Sequence, residues 1–177
     1  LISANSSYCR LHLTDNTGDN PKTPPMFCML LRKHLGGGRI DSISQKGLER
    51  IVEIEIQNTN EFMQVVKYKL IVEIMGRHSN IILLKQTDNV ILDSIKRITF
   101  EINRYRQILP GEQYINPPLD QKIDLLEDDN CIMSTVQSAS SNSQKTLSSW
   151  IIDTFAGFSG SAAKEIALRA NIPHKKT

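Results

Sequence analysis

The residues of this chain best suited to chemistry are cations set beside an aromatic ring or inside a turn, and the chemistry they suit is contact with phosphate. Arg97, Arg104 and Arg106 surround Tyr105, a mix of guanidinium groups and one ring that serves phosphate contact and base stacking. A solvated basic face fits the same residues. Arg77 and His78 follow Gly76 in a short polar stretch. They read either as a solvated hairpin tip, with Gly76 at positive φ and Asn80 bonding backbone, or as an RNA-facing turn. Arg32 and Lys33 stand side by side on the polar side of a helical pattern.

Bond-making chemistry has little support. His12, His34, His78 and His174 each lack a second His, Cys or carboxylate at ligand spacing, so no metal site is expected. The chain has no GxSxG, no Walker loop and no GxGxxG. Gly36-Gly37-Gly38 could cradle a phosphate, but it ends a helical pattern, whereas phosphate favours helix N-termini. The expectation is a protein that is not an enzyme and carries no cofactor. Near the end of the chain, Phe155-Ala-Gly157-Phe158-Ser159 followed by Ala163 and Ile166 fits the helix-hairpin-helix spacing hxGhGxxxAxxh, with Ser159 replacing the second glycine. Such a hairpin aims backbone N–H groups at a phosphate without reading sequence, which makes Gly157 and Lys164 candidate contacts. A purely structural helical hairpin fits equally.

Composition bounds the class. The chain has 177 residues, of which 40% are hydrophobic and 23% charged, as in an ordinary globular protein. No apolar run approaches the roughly 18–20 residues of a membrane span. Cys9, Cys28 and Cys131 lie far apart and odd in number, against a disulfide scaffold and in favour of a reducing cytosol. The chain opens at Leu1 inside an apolar run and reads as a fragment of a longer protein. Net charge is only +2, but it is unevenly spread. From Arg32 to Arg106 there are 13 Lys/Arg against 9 Asp/Glu, and from Gln107 to Lys145 there are 6 acids against 2 bases. From Thr146 on there are 4 bases and 2 acids. A basic half, an acidic connector and a basic end follow one another.

The elements that must position these residues are mostly strands. Leu1–Ala4 and Tyr8–Thr14 read as two strands around Asn5-Ser6-Ser7. Thr23-Pro24-Pro25 carries helix-start chemistry, with the Thr23 hydroxyl as cap. Phe27, Leu30, Leu31, His34 and Leu35 then share one helical stripe, ended by the three glycines. Strands are expected at Arg39–Gln45, Glu49–Gln57, Lys67–Met75, Asn80–Lys85 and Val90–Lys96, joined by turns too short for parallel crossovers. Arg50 shares the parity of Val52, Ile54 and Ile56 and so is expected on the apolar side, where it needs a carboxylate or a phosphate. Pro110-Gly111 and Pro117-Pro118 break the pattern, Gln137–Gln144 reads as a Ser-rich loop, and Thr146–Phe155 and Ser161–Ala170 read as helices. The expected fold is α+β: a mostly antiparallel β-sandwich or barrel with one packed helix over residues 1–118. An acidic, Ser-rich connector over 119–145 follows, then the start of a helix-hairpin-helix region over 146–177.

Met29-Leu-Leu-Arg-Lys-His-Leu-Gly-Gly-Gly-Arg-Ile40 resembles the NFACT N-terminal domain of the RqcH / fibronectin-binding protein A family, whose eukaryotic relative is NEMF. Gly47–Val52, Glu73–Leu83, Leu92–Arg97 and Glu101–Gly111 agree with the same family in order, so the resemblance covers Leu1 to Pro118. It implies a fold like the N-terminal domain of formamidopyrimidine-type DNA glycosylases, lacking its first strands here. It also implies a ribosome-associated quality-control factor that binds tRNA, alanyl-tRNA in bacteria. Such a factor binds the large ribosomal subunit carrying peptidyl-tRNA and promotes alanine tailing of stalled chains. The family's Asp-Arg pair for tRNA recognition matches Glu49 and Arg50, the acid being one methylene longer.

These readings make the chain an RNA-binding module of a cytoplasmic, ribosome-associated factor, with no membrane partner. The expected contacts are Glu49, Arg50, Arg32, Lys33, Arg77, His78, Arg97, Arg104 and Arg106, with Gly157 and Lys164 in the hairpin. An adhesin binding fibronectin at the cell surface is the alternative, and a nucleic-acid enzyme is a third reading prompted by fold alone.

Overall fold

The computed structural model describes residues 1–16, 18–118, 122–125, 132–136 and 145–171. The Ser-rich loop expected over Gln137–Gln144, most of the acidic connector, Cys131 and His174 lie outside the described residues. The chain is α+β and divides into two compact units, Leu1–Lys46 with Arg50–Pro117, and Gly47–Glu49 with Pro118–Thr177.

The first unit contains β1 (Ile2–Ser3), β2 (Arg10–Leu11), α1 (Met26–Leu35), β3 (Arg39–Gln45), β4 (Ile51–Thr59), β5 (Val65–Glu73), a 3-10 turn at Gly76–His78, β6 (Asn80–Lys85) and β7 (Val90–Ser94). Strands β3 to β7 form one antiparallel meander in chain order, and β1 and β2 pair separately. The central strands of the meander are covered on both faces, whereas β3 at the edge is exposed along its length. On one face, Ile54, Ile56, Tyr68, Leu70, Ile81 and Leu83 pack beneath Phe27, Leu30, Leu31 and Leu35 of α1. On the other, Ile51, Ile71, Ile82, Leu84 and Ile91 pack beneath Ile108, Ile98 and Tyr114 from the segment after the sheet. A strand buried on both sides cannot alternate polar with apolar, which is why Ile81-Ile82-Leu83-Leu84 is a continuous apolar run. Each such side chain, fully buried, contributes about 1.5–3 kcal/mol.

The stripe expected on α1 packs as read, but its start does not. The N-cap is Pro25, and no side chain caps the helix. Thr23 and Pro24 each precede a proline, which pushes both toward extended backbone, so the helix begins only at Met26. Its C-terminal end is tied by Asn58, whose Nδ2 donates to the carbonyls of His34 at 2.8 Å and Gly36 at 3.2 Å. Gly38 lies so close to β4 that an added Cβ would meet Ile56 Cγ2 and the Gln57 carbonyl oxygen at 3.0 Å.

Arg106, expected on the surface beside Arg97 and Arg104, is instead 5% exposed. Its Nη1 and Nη2 donate to Glu73 Oε1 and Oε2 at 2.7 and 2.6 Å, and Nη1 also donates to the Ile115 carbonyl at 2.9 Å. Tyr114 donates its hydroxyl to Glu73 Oε1 at 2.8 Å, and its ring lies 5.8 Å from the guanidinium carbon. Sequence parity could not find this, because Arg106 follows the sheet and its partner stands 33 residues earlier. Burial opposes the Arg106 charge, but Glu73 outweighs it and holds the guanidinium protonated. Burial, then Glu73, pushes the Tyr114 phenol well above its ordinary range, so it stays a donor.

The second unit contains α2 (Leu147–Thr154) and α3 (Gly160–Arg169). Thr146 caps α2 by accepting from Ser149 N, and Ser159 caps α3 by accepting from Ala162 N. Ile151, Phe155 and Ala163 form its core with Ile123, Trp150 and Phe158. Ala163 and Ala167 are fully buried, whereas Ile166, the last apolar position of the hairpin pattern, is 38% exposed. Gly157 has φ +80°, and a Cβ there would stand 3.1 Å from Leu48 Cδ1.

Two outcomes test this packing. Glu73→Gln strands a buried guanidinium and should lower unfolding free energy by about 3–5 kcal/mol in urea denaturation. Gly157→Val forces a β-branched residue into left-handed backbone, at about 1–3 kcal/mol. Hydrogen exchange should then show protection lost in α2 and α3 while the β4 to β6 amides keep theirs.

Candidate nucleic-acid interface

The site is built where β5 ends. Gly76 takes φ +57° and starts the 3-10 turn, as its position before Arg77 requires. Ser79, fully buried, accepts a hydrogen bond from Met75 N at 2.8 Å. Asn80, 2% exposed, donates from Nδ2 to the Lys96 carbonyl at 2.8 Å. Its Oδ1 accepts from Ile81 N at 2.9 Å and Lys96 N at 3.1 Å. Asn80 thus bonds backbone as one reading of the turn required, but mainly that of a residue 16 positions away. The turn and the corner after β7 form one piece, held by neutral groups that leave the nearby cations their charge.

On this frame Arg77 and His78 are exposed, and Arg77 Nε donates to His78 Nε2 at 2.9 Å. Arg50 reaches the same end of the sheet, because its carbonyl accepts from Ile74 N at 2.8 Å. Its expected burial on the apolar side is not observed. The strand begins at Ile51, so Arg50 precedes the alternation and its side chain is exposed. Among the described residues no carboxylate pairs with it. The Cys9 thiol is drawn below its ordinary value by the Ser79 hydroxyl first, then by the Gly76 backbone N–H, with the Arg50 charge adding. Cys9, Gly76, Ser79 and Arg50 therefore share one neighbourhood.

The remaining cations divide by partner. Arg97 grips Asp93 through Nε at 3.0 Å and Nη2 at 2.9 Å, and this bond holds the Asp93 carboxyl below the usual carboxylate range. Lys96 donates from Nζ to the Ala4 carbonyl at 2.7 Å. Arg104 is exposed and without an ion-pair partner among the described residues, beside a Tyr105 ring that is 56% exposed. A cleft of about 430 Å³ is lined by Arg77, His78, Lys96, Ile102, Asn103 and Arg106. Cations beside an exposed ring and apolar side chains suit a phosphate with an unstacked base.

The structure thus brings Arg77, His78 and Arg106 to one cleft and Arg50 to the turn beside it. Arg32 and Lys33 are exposed on α1 and do not line the cleft. Glu49 is half-buried and belongs to the second unit, as do Gly157 and the exposed Lys164. Reading from sequence missed Lys96, Asn103 and Cys9. The signal for Asn80 was there, a polar pair, Ser79-Asn80, set directly against the most apolar strand. No helix among the described residues is long and apolar enough to cross a membrane.

Comparison with known proteins agrees with this architecture. The family model for NFACT N-terminal and middle domains matches residues 1–177. The Rqc2 homolog RqcH of Bacillus subtilis is 45% identical over the whole chain, which spans 30% of that protein's length. The archaeal Rqc2 homolog aRqcH of Methanocaldococcus jannaschii is 28% identical over 99% of the chain and 25% of its own length. Among solved structures, the N-terminal domain of fibronectin-binding protein PavA from Streptococcus pneumoniae superposes with a TM-score of 0.85. It is 36% identical, over 96% of this chain and 62% of that one. The fibrinogen binding protein from Staphylococcus aureus gives a TM-score of 0.78 at 31% identity, over 97% and 59% of the two chains. With its whole length matched by the family model, this chain belongs to the family of NFACT N-terminal and middle domains.

Proposed function

We propose that this chain is the part of a ribosome quality-control factor that holds tRNA on the obstructed large ribosomal subunit, in support of alanine tailing of stalled chains. Its contribution is positioning by charge and shape, with no bond made or broken by its own residues. The observation that carries the reading is Arg50. It is an exposed guanidinium without a carboxylate among the described residues, at the Gly-Leu-Glu-Arg-Ile motif, beside a rigid turn that presents Arg77 and His78. Relatives named Rqc2 homolog RqcH support the ribosomal setting, and alanyl-tRNA is the ligand implied by resemblance. A cytoplasmic, ribosome-associated location follows from this reading.

The names of the solved relatives favour a second reading, an adhesin for fibronectin at the cell surface. Localisation of the full-length protein, with tRNA and fibronectin binding measured side by side, separates the two.

Two outcomes are expected. Arg50→Ala should weaken tRNA binding about tenfold or more, the worth of one charge-assisted hydrogen bond, while the melting temperature stays nearly unchanged. A large fall in melting temperature with binding retained would make Arg50 structural. Binding should also weaken with salt, since each phosphate contact releases counterions. Three contacts, from Arg50, Arg77 and Arg104, give a log–log slope of about −2 for single-stranded RNA. A flat response between low and physiological salt would remove these residues from the working surface.

A further inference from the structure

A second concavity lies at the opposite end of β5 from Arg50 and the Gly76 turn. It is an open pocket of about 750 Å³ bounded by His34 of α1, Asn60 and Gln64 of the β4–β5 hairpin, Tyr68, Lys85 and Leu92. Val66 and Lys67 complete the wall along β5. Its lining is mostly apolar and holds no carboxylate among the residues that form it.

Three features make this more than a gap. The His34 and Tyr68 rings meet edge to face, 5.2 Å apart at 61°, and His34 Nδ1 lies 3.1 Å from the Tyr68 hydroxyl, so the two rings form one fixed wall. Burial, with the Lys33 charge added, holds His34 below the usual histidine value, which keeps that wall uncharged at neutral pH. Lys85 stands directly opposite Tyr68 in the β5–β6 register and so shares its face of the sheet. Lys85 is exposed and unpaired among the described residues, and no carboxylate is among the lining residues, so this side of the rim carries positive charge. An aromatic, uncharged floor beneath a cationic rim matches a ligand with a flat ring at one end and a phosphate at the other.

We propose that this pocket takes one unstacked nucleotide of a bound RNA, its base against His34 and Tyr68 and its phosphate on Lys85. The proposal rests on the RNA-binding reading above and adds a second contact point at the far end of β5. A strand engaged at both ends of the sheet is held in orientation as well as in place, which a single basic patch cannot achieve.

The test uses the whole 177-residue chain with adenosine 5′-monophosphate as probe and ribose 5-phosphate as control, read by NMR shifts of the His34 and Tyr68 ring signals. The nucleotide should move both sets of signals and the sugar phosphate should not. Lys85→Glu, an exposed change that spares the core, should weaken the nucleotide about fivefold and leave the amide spectrum otherwise intact. Equal shifts with ribose 5-phosphate would reduce the pocket to a phosphate patch and overturn the proposal, as would unmoved ring signals. If the nucleotide leaves these rings unmoved while tRNA still binds, the pocket assignment alone fails. If the nucleotide moves them and tRNA does not bind, the pocket stands and the tRNA reading fails.

Discussion

The ion pair between Glu73 and Arg106 is the constraint from which the rest of the first unit follows. Glu73 is the last residue of β5 and is 1% exposed, in the layer that otherwise holds Ile71, Ile82 and Ile91. A carboxylate there is tolerable only with its oxygens fully bonded, and Arg106 and Tyr114 supply those bonds. That demand draws the irregular segment after β7 across the sheet and closes its second face with Ile98, Ile108 and Tyr114. Replacing the pair by apolar residues could be as stable, but hydrocarbon side chains would not dictate which part of the loop sits where. The bidentate geometry does.

The site inherits this rigidity. One residue beyond Glu73, Ile74 bonds the Arg50 carbonyl, and two beyond that Gly76 opens the turn. The cations of this region then separate into those committed to structure and those without an internal partner among the described residues. Arg106, Arg97 and Lys96 are held by Glu73, Asp93 and the Ala4 carbonyl, whereas Arg50 and Arg104 have no such partner among the described residues. Ser79 and Asn80 anchor the turn as neutral side chains, which fix backbone without drawing a counter-charge beside Arg77 and His78.

In the second unit the hairpin is organised by two small residues. Gly157 permits the left-handed backbone of the reversal, and Ala163 lets α3 approach α2 closely enough for the Ser148 hydroxyl to reach the Ala163 carbonyl at 3.5 Å. Ser159, where the pattern calls for a second glycine, caps α3 with its own hydroxyl. The substitution exchanges one open N–H at that helix start for a fixed side-chain bond.

Much of this was legible in the residues themselves. The α+β class, the strand at Arg39–Gln45, the α1 stripe, the strand at Asn80–Lys85 with its buried apolar run and the glycine-led turns all follow from period and turn chemistry, which are local. So did the motifs around Arg50, because type and order survive in one dimension. What sequence could not decide was how each charge is used. Arg106 and Arg104 differ by two positions and read alike, yet one is sealed against Glu73 and the other faces solvent. Arg50 was expected inside on parity and lies outside, since a strand's alternation says nothing of the residue just before it. Charge is long-ranged and its partners lie 16 or 33 residues away, as for Lys69 with Glu53 and Arg106 with Glu73, so only the tertiary structure settles which cations balance the protein's own acids and which stay exposed.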